Sequence, residues 1–123
     1  MAPVKRFNAL IVDNDSKSVA NTTKYLSRNG FHVKIANNGQ EAIEFFQRGN
    51  HFDLVLMDME MPIIDGFQAT REIRALGVRT LMIGLSVSSS PTRIQEFLSA
   101  GLDEFYAKPM NMAKLAAIMG HFN

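Results

Sequence analysis

Leu54-Val55-Leu56-Met57-Asp58 runs straight into Met59-Glu60-Met61-Pro62-Ile63-Ile64-Asp65-Gly66. An apolar run with no polar break reads as a strand buried on both faces, the habit of parallel sheets. It ends in a carboxylate, and a loop bearing Pro62 and Gly66 leads into a helical pattern from Phe67 to Leu76. Asp58 is therefore expected at the carboxyl end of a central strand, where open α/β sheets place their ligands.

Upstream, Ala9-Leu10-Ile11-Val12 is a second unbroken apolar run, and it too ends in acid, at Asp13-Asn14-Asp15-Ser16. Asp15 or Ser16 can cap the following helix, which carries Val19, Thr23 and Leu26 on one face and stops at Asn29-Gly30. Phe31, Val33 and Ile35 alternate with His32 and Lys34, as in an edge strand. Asn37-Asn38-Gly39 then turns into a helix with Ala42, Ile43 and Phe46 inward, closed by Gly49-Asn50. Downstream, Thr80 to Leu85 is another buried-type strand and delivers Ser86. Ser88-Ser89-Ser90-Pro91 is a loop with Pro91 at a helix start, and Ile94, Phe97 and Leu98 form that helix's inner face up to Gly101. Leu102 to Ala107 is a last short strand delivering Lys108-Pro109; Met112, Leu115, Met119 and Phe122 mark a final amphipathic helix. Five strands alternating with five helices predict one α/β domain, a doubly wound parallel sheet covered on both faces.

Composition narrows the function. The 123 residues suffice for one core, and 46% hydrophobic with 20% charged residues argues against disorder. A net charge of +1 and the lack of a basic run give no reason to expect nucleic acid or an anionic membrane as partner. Cysteine is absent, which removes disulfides, thiol catalysis and thiolate metal sites. No apolar run approaches the ~20 residues of a membrane span, and Met1 to Arg6 has no signal core, so a cytoplasmic setting is expected, or also a nuclear one in a eukaryote. His32, His51 and His121 fall on a strand, a loop and the C-terminal tail, a spread that does not suit a metal cluster. No glycine-rich phosphate loop follows any strand.

Asp13 with Asn14, Asp58, Ser86 and Lys108 each stand just beyond an apolar run. Singly, Asp13, Asp15 and Asp58 are more often caps or turn residues, Ser86 loop chemistry, and Lys108 solvated. Side by side at four strand ends they form an acidic pocket with one hydroxyl and one ammonium. Crowded carboxylates repel unless a cation joins them, and hard oxygen ligands suit Mg²⁺. Such a pocket fits an aspartate that accepts a phosphoryl group, the protein supplying positioning and charge neutralisation.

At these residues the chain resembles a response-regulator receiver domain of two-component signalling, over essentially its whole length. The matching pieces are Leu10-Ile11-Val12-Asp13-Asn14-Asp15, then Leu56 to Gly66, then Ser86, then Ala100-Gly101-Leu102-Asp103-Glu104-Phe105-Tyr106-Ala107-Lys108-Pro109. The resemblance implies a flavodoxin-like receiver fold with strand order 2-1-3-4-5 and five helices, residues 1–123 forming a single receiver domain with no output domain. It implies that Asp58 accepts a phosphoryl group from a phosphohistidine, aided by Ser86 and Lys108, followed by Mg²⁺-dependent self-dephosphorylation rather than conventional enzymatic turnover. Asp13, Asn14, Asp58 and the backbone carbonyl of Glu60 are implied as Mg²⁺ ligands, Phe105 as a switch aromatic, and Lys108-Pro109 as a cis peptide. The implied partner is a histidine kinase or a histidine phosphotransfer protein, with the domain a monomer or weak dimer. The wording of Met57 to Pro62 and Gly66 to Arg74 is similar to receivers of hybrid kinases and to stand-alone receivers of plants.

Asn14 departs from the family, which usually has a second acid there. An amide can ligate Mg²⁺ but brings no charge, so the alternative is a pseudo-receiver, an interaction module with weakened Mg²⁺ and phosphoryl chemistry. Val87, where a small residue is usual, is a lesser departure at the pocket's rim. A flavin carrier or a phosphohydrolase of similar fold is a further rival. Asp13-Asn14-Asp15 would repel a flavin phosphate, and an assay with small phosphate esters tests the hydrolase.

Overall fold

The computed structural model describes residues 6–61, 64–87 and 90–122; the expected loop positions Pro62, Ile63, Ser88 and Ser89 lie outside the described residues. Strands β1 (Phe7–Val12), β2 (Phe31–Ala36), β3 (Leu54–Asp58), β4 (Leu81–Ser86) and β5 (Glu104–Ala107) alternate with helices α1 (Ser16–Arg28), α2 (Gly39–Gln47), α3 (Gly66–Ala75), α4 (Pro91–Ser99) and α5 (Met112–Met119). The strands form one sheet in the order β2-β1-β3-β4-β5, every pairing parallel, as expected. The chain leaves β1 for β2 and returns to β3 on the other side of β1. The strand order thus reverses beside the ends of β1 and β3, where the crevice of such sheets lies.

Alternation along the strands divides the core in two. Leu10, Val12, Val55, Met57 and Met82 pack with Ala42, Ile43, Ile73 and Phe97 of α2, α3 and α4. Ala9, Ile11, Leu54, Leu56, Ile83 and Leu85 pack on the other face with Leu26 of α1 and Leu115 and Ile118 of α5. All five residues of β3 are buried, which is why the four before Asp58 read as an unbroken apolar run.

Local signals set the helix ends. Asp15, Asn38, Asp65, Ser90 and Asn111 each turn a side-chain oxygen onto a first-turn N–H, relieving donors that have no partner within the helix. Gly30, Gly49, Gly77 and Gly101 take positive φ in the turns that follow helices.

Some faces differ from expectation. In α1 the fully covered residues are Thr22 and Leu26, with Val19 and Thr23 half-buried. Ile35 is 40% exposed, because β2 is an edge strand and only its ends, Phe31 and Ala36, are buried. In α4 only Phe97 is buried, while Ile94 and Leu98 are half-covered. In α5 the inward residues are Leu115 and Ile118, and Met112 is 56% exposed. The last strand starts at Glu104, so Leu102 fills the core from a loop. Phe122 closes the far end of the sheet against Phe7 and Phe31, with ring centroids 4.9 and 5.4 Å away.

Candidate functional site

Three of the expected residues meet at the carboxyl edge of the sheet. Asp13 follows β1, Asp58 ends β3 and Lys108 follows β5. They share the strand parity of Ile11, Leu56 and Tyr106, so all three side chains project to the α1/α5 face. Lys108 Nζ lies 3.0 Å from Asp13 Oδ2 and 3.5 Å from Asp58 Oδ2, its side chain 9% exposed. Asp13 and Asp58 are 2% and 5% exposed.

Each carboxylate is held by its neighbours. Asp13 Oδ1 accepts the Asp15 N–H at 2.9 Å, and Oδ2 accepts the Ser18 hydroxyl at 2.7 Å. Asp58 Oδ1 accepts the Glu60 N–H at 3.1 Å. The loop after β3 is tied to the sheet by the Met59 N–H donating to Leu85 O at 3.0 Å. Gly66 starts α3 against this same turn. A Cβ there would stand 2.4 Å from the Asp58 carbonyl oxygen and 2.7 Å from Met59 Cα, so only glycine permits the approach.

Burial pushes the Asp58 carboxyl up to about 6; the Glu60 N–H and the Lys108 charge oppose this, and the Asp13 charge adds to it. Burial alone would lower the Lys108 ammonium, but its bond to Asp13 and the charges of both carboxylates outweigh it and leave it raised. The pocket therefore holds two buried acids with one cation between them, a charge imbalance that a hard divalent cation would relieve. The two carboxylates supply hard oxygen donors, which fit Mg²⁺ by their chemistry. Asn14 is exposed beside Asp13, at a depression bounded by Val19, Ile35 and Asn37.

Ser86 is fully buried at the end of β4, and its own parity belongs to the opposite face, with Met82. Its hydroxyl is hydrogen-bonded to the Glu60 carboxylate, which reaches across from the β3–α3 loop. The register aligns Ser86 with Ala107, and the Lys108 N–H donates to Ser86 O at 2.9 Å, so Ser86 sits beside the strand end that delivers Lys108. Phe105 is half-buried and stacks on Phe97 of α4, centroids 5.8 Å apart. The Lys108–Pro109 peptide is cis. Val87 is 73% exposed and stands beside Lys108 and Pro109 along a depression of about 280 Å³.

Ser18, the Glu60 side chain and the close approach of Gly66 also shape the site, none of them expected from the sequence. Ser18 had a weak signal, a hydroxyl in the first turn of the helix that follows Asp13. The reach of Glu60 to Ser86 depends on the register between two strands and left none.

Residues 9–119 match the family model of the response regulator receiver domain. Two-component response regulator 24 of Arabidopsis thaliana is 35% identical over 118 residues, covering 96% of this chain and 85% of that protein. Two-component response regulator ORR41 of Oryza sativa subsp. japonica is 35% identical over 121 residues, covering 96% of this chain and 95% of that protein. Among solved structures, a chain of the CheX-CheY-BeF3-Mg²⁺ complex from Borrelia burgdorferi superposes with a TM-score of 0.86 at 28% identity, covering 95% of this chain and 90% of that one. With the family model spanning nearly every element from β1 to α5, this chain belongs to the response-regulator receiver domains of two-component signalling.

Proposed function

We propose that this receiver accepts a phosphoryl group on Asp58 from a phosphohistidine carried by a histidine kinase or a histidine phosphotransfer protein. The observation that carries the reading is the convergence of the buried Asp13 and Asp58 carboxylates on Lys108 Nζ, at 3.0 and 3.5 Å. In the transfer, an Asp58 carboxylate oxygen forms a bond to phosphorus as the phosphorus–imidazole bond breaks. The imidazole keeps the electron pair and, with its other nitrogen protonated, leaves neutral. The new aspartyl phosphate is later hydrolysed by water, which restores the carboxylate.

Asp13, Asp58 and the Glu60 carbonyl, with the Asn14 amide adjacent, would hold Mg²⁺. When bound, Mg²⁺ supplies charge neutralisation for the phosphoryl oxygens. Lys108 holds one phosphoryl oxygen through its ammonium, and the pairing with Asp13 keeps that ammonium in the pocket. Ser86 offers its hydroxyl to another oxygen, which requires it to leave Glu60. Phe105 bridges β5 and α4 through Phe97, so its movement with Ser86 would reshape the face formed by α4, β5 and α5. The switch is a population shift driven by a new local charge.

The test is to mix the chain with a ³²P-labelled histidine phosphotransfer protein and Mg²⁺ and follow the label. Label should move to this chain and should not move to Asp58→Asn; equal labelling of that variant would refute the site. Asn14 supports a second reading, a pseudo-receiver that signals through its surface alone. Among the described residues no three His, Cys, Asp or Glu side chains gather to hold a metal. Titration with Mg²⁺ and beryllofluoride separates the two readings, since a pseudo-receiver binds neither.

A further inference from the structure

Lys108 owes its position to the short connection between β5 and α5, and a second lysine grips that connection from behind. Lys114, half-buried in the first turn of α5, turns its side chain back toward the strand. Its Nζ donates to Ala107 O at 2.6 Å and to Pro109 O at 3.0 Å, the carbonyls on either side of Lys108. The Lys114 N–H is itself capped by Asn111 Oδ1 at 2.8 Å, which fixes the base of the side chain. From the other side, Asn21 of α1 donates its Nδ2 to Met110 O at 3.1 Å. The backbone of Lys108 is thus held before, at and after the residue, the middle hold being its N–H on Ser86 O.

A cation in the first turn of a helix stands against the positive end of the helix dipole, where an anion would be favoured. Solvation alone therefore gives no reason for Lys114 to fold back there. Two carbonyls at hydrogen-bond distance do, because a charged donor makes a stronger bond than a neutral one.

We propose that Lys114 is a positioning residue for the phosphoryl chemistry at Asp58. It fixes the backbone on both sides of Lys108 and so holds that ammonium between Asp13 and Asp58. Lys114 touches neither carboxylate and acts only through Lys108. As a statement about catalysis this rests on the function proposed above; as a statement about where Lys108 points, it stands without it.

The test uses wild type, Lys114→Met and Lys114→Arg with acetyl phosphate as the donor. Lys114→Met should lower the maximal phosphorylation rate about tenfold, the size expected when a charge-stabilising group is displaced rather than deleted. Its Mg²⁺ dissociation constant should stay within about twofold of wild type, because the oxygen ligands are untouched. Lys114→Arg, which also presents donors to two carbonyls, should recover most of the rate. An unchanged rate in Lys114→Met overturns the proposal. So does a loss of rate that comes with a matching loss of Mg²⁺ affinity and is not recovered by arginine, since that is what mere unfolding of the loop would give.

A second measurement does not depend on phosphorylation. The Lys108 ammonium, 9% exposed and paired with Asp13, should give a slowly exchanging ¹⁵Nζ signal, assigned by its disappearance in Lys108→Met. The signal should persist in Lys114→Arg and be lost in Lys114→Met; persistence in Lys114→Met overturns the positioning role. If wild type takes no phosphoryl group while this NMR pattern appears, the function proposed above fails and the positioning role stands.

Discussion

Replacing Asp58 by asparagine should stabilise the metal-free protein, although it removes the residue on which the proposed chemistry turns. In the unfolded chain the Asp58 carboxyl has its ordinary value of 3.8, and in the fold it titrates at about 6. Between those values the folded state holds the proton more tightly, so stability falls as pH rises through this window. Above it the whole cost of burying the ionised group remains. A displacement of that size corresponds to about 3 kcal/mol near neutral pH and to well under about 1 kcal/mol near pH 4. Asparagine has nearly the same shape, keeps an oxygen for the Glu60 N–H and never ionises. Urea denaturation in chelator, followed by circular dichroism, should show Asp58→Asn more stable by about 2–3 kcal/mol at neutral pH, with a melting temperature higher by on the order of 10 °C. The two proteins should converge near pH 4. Mg²⁺ should narrow the neutral-pH gap by stabilising wild type, since a ligand that binds only the folded state adds to its stability. Equal stabilities at neutral pH, or a gain of the same size at both pH values, would refute the reasoning, because neither depends on ionisation of Asp58.

Other substitutions test the packing that holds the site. Gly66→Ala forces a Cβ to within 2.4 Å of the Asp58 carbonyl and should destabilise by about 2 kcal/mol or more, read from the urea midpoint, because backbone must shift on both sides. At the opposite end of the sheet, the Arg74 guanidinium donates to the carbonyls of Gly101, Val78 and Thr80 and to Asp103 at 2.7–3.0 Å. Arg74→Met should cost about 2–3 kcal/mol in thermal or urea unfolding, and Arg74→Lys should recover little, since an ammonium cannot reproduce the planar fork. Thr70 is fully buried and its hydroxyl finds no hydrogen-bond partner among the described residues. Thr70→Val should therefore raise stability by about 1 kcal/mol in the same assay, and a loss would show that the hydroxyl is engaged.

The fold was legible where burial is symmetric. The β3 run Leu54 to Met57 and the β1 run Ala9 to Val12 carry no polar residue because helices cover both faces, and that marks them as parallel strands at the sheet's centre. Helix starts were legible because Asp15 and Pro91 act within their own turn. The edges were harder. Ile35 and Met112 follow the apolar period yet are exposed, because periodicity gives the face of an element and not how far its neighbours extend over it. Asp13, Asp58 and Lys108 could be gathered from sequence, since each stands at the end of a predicted strand of one parallel sheet. Glu60 on Ser86, Arg74 on the α3–β4 and α4–β5 turns, and Lys114 on the carbonyls around Lys108 could not. Those contacts depend on register and on the reach of long side chains, which no local pattern records.

Everything proposed for the site depends on Asp58 being the residue that receives phosphate. Incubation with a phosphohistidine donor and Mg²⁺, reduction of any acyl phosphate with borohydride, and mapping by peptide mass spectrometry tests it most directly. One modified residue is expected, Asp58, and none when Mg²⁺ is chelated. An unmodified chain, or a modification at any other residue, would contradict it.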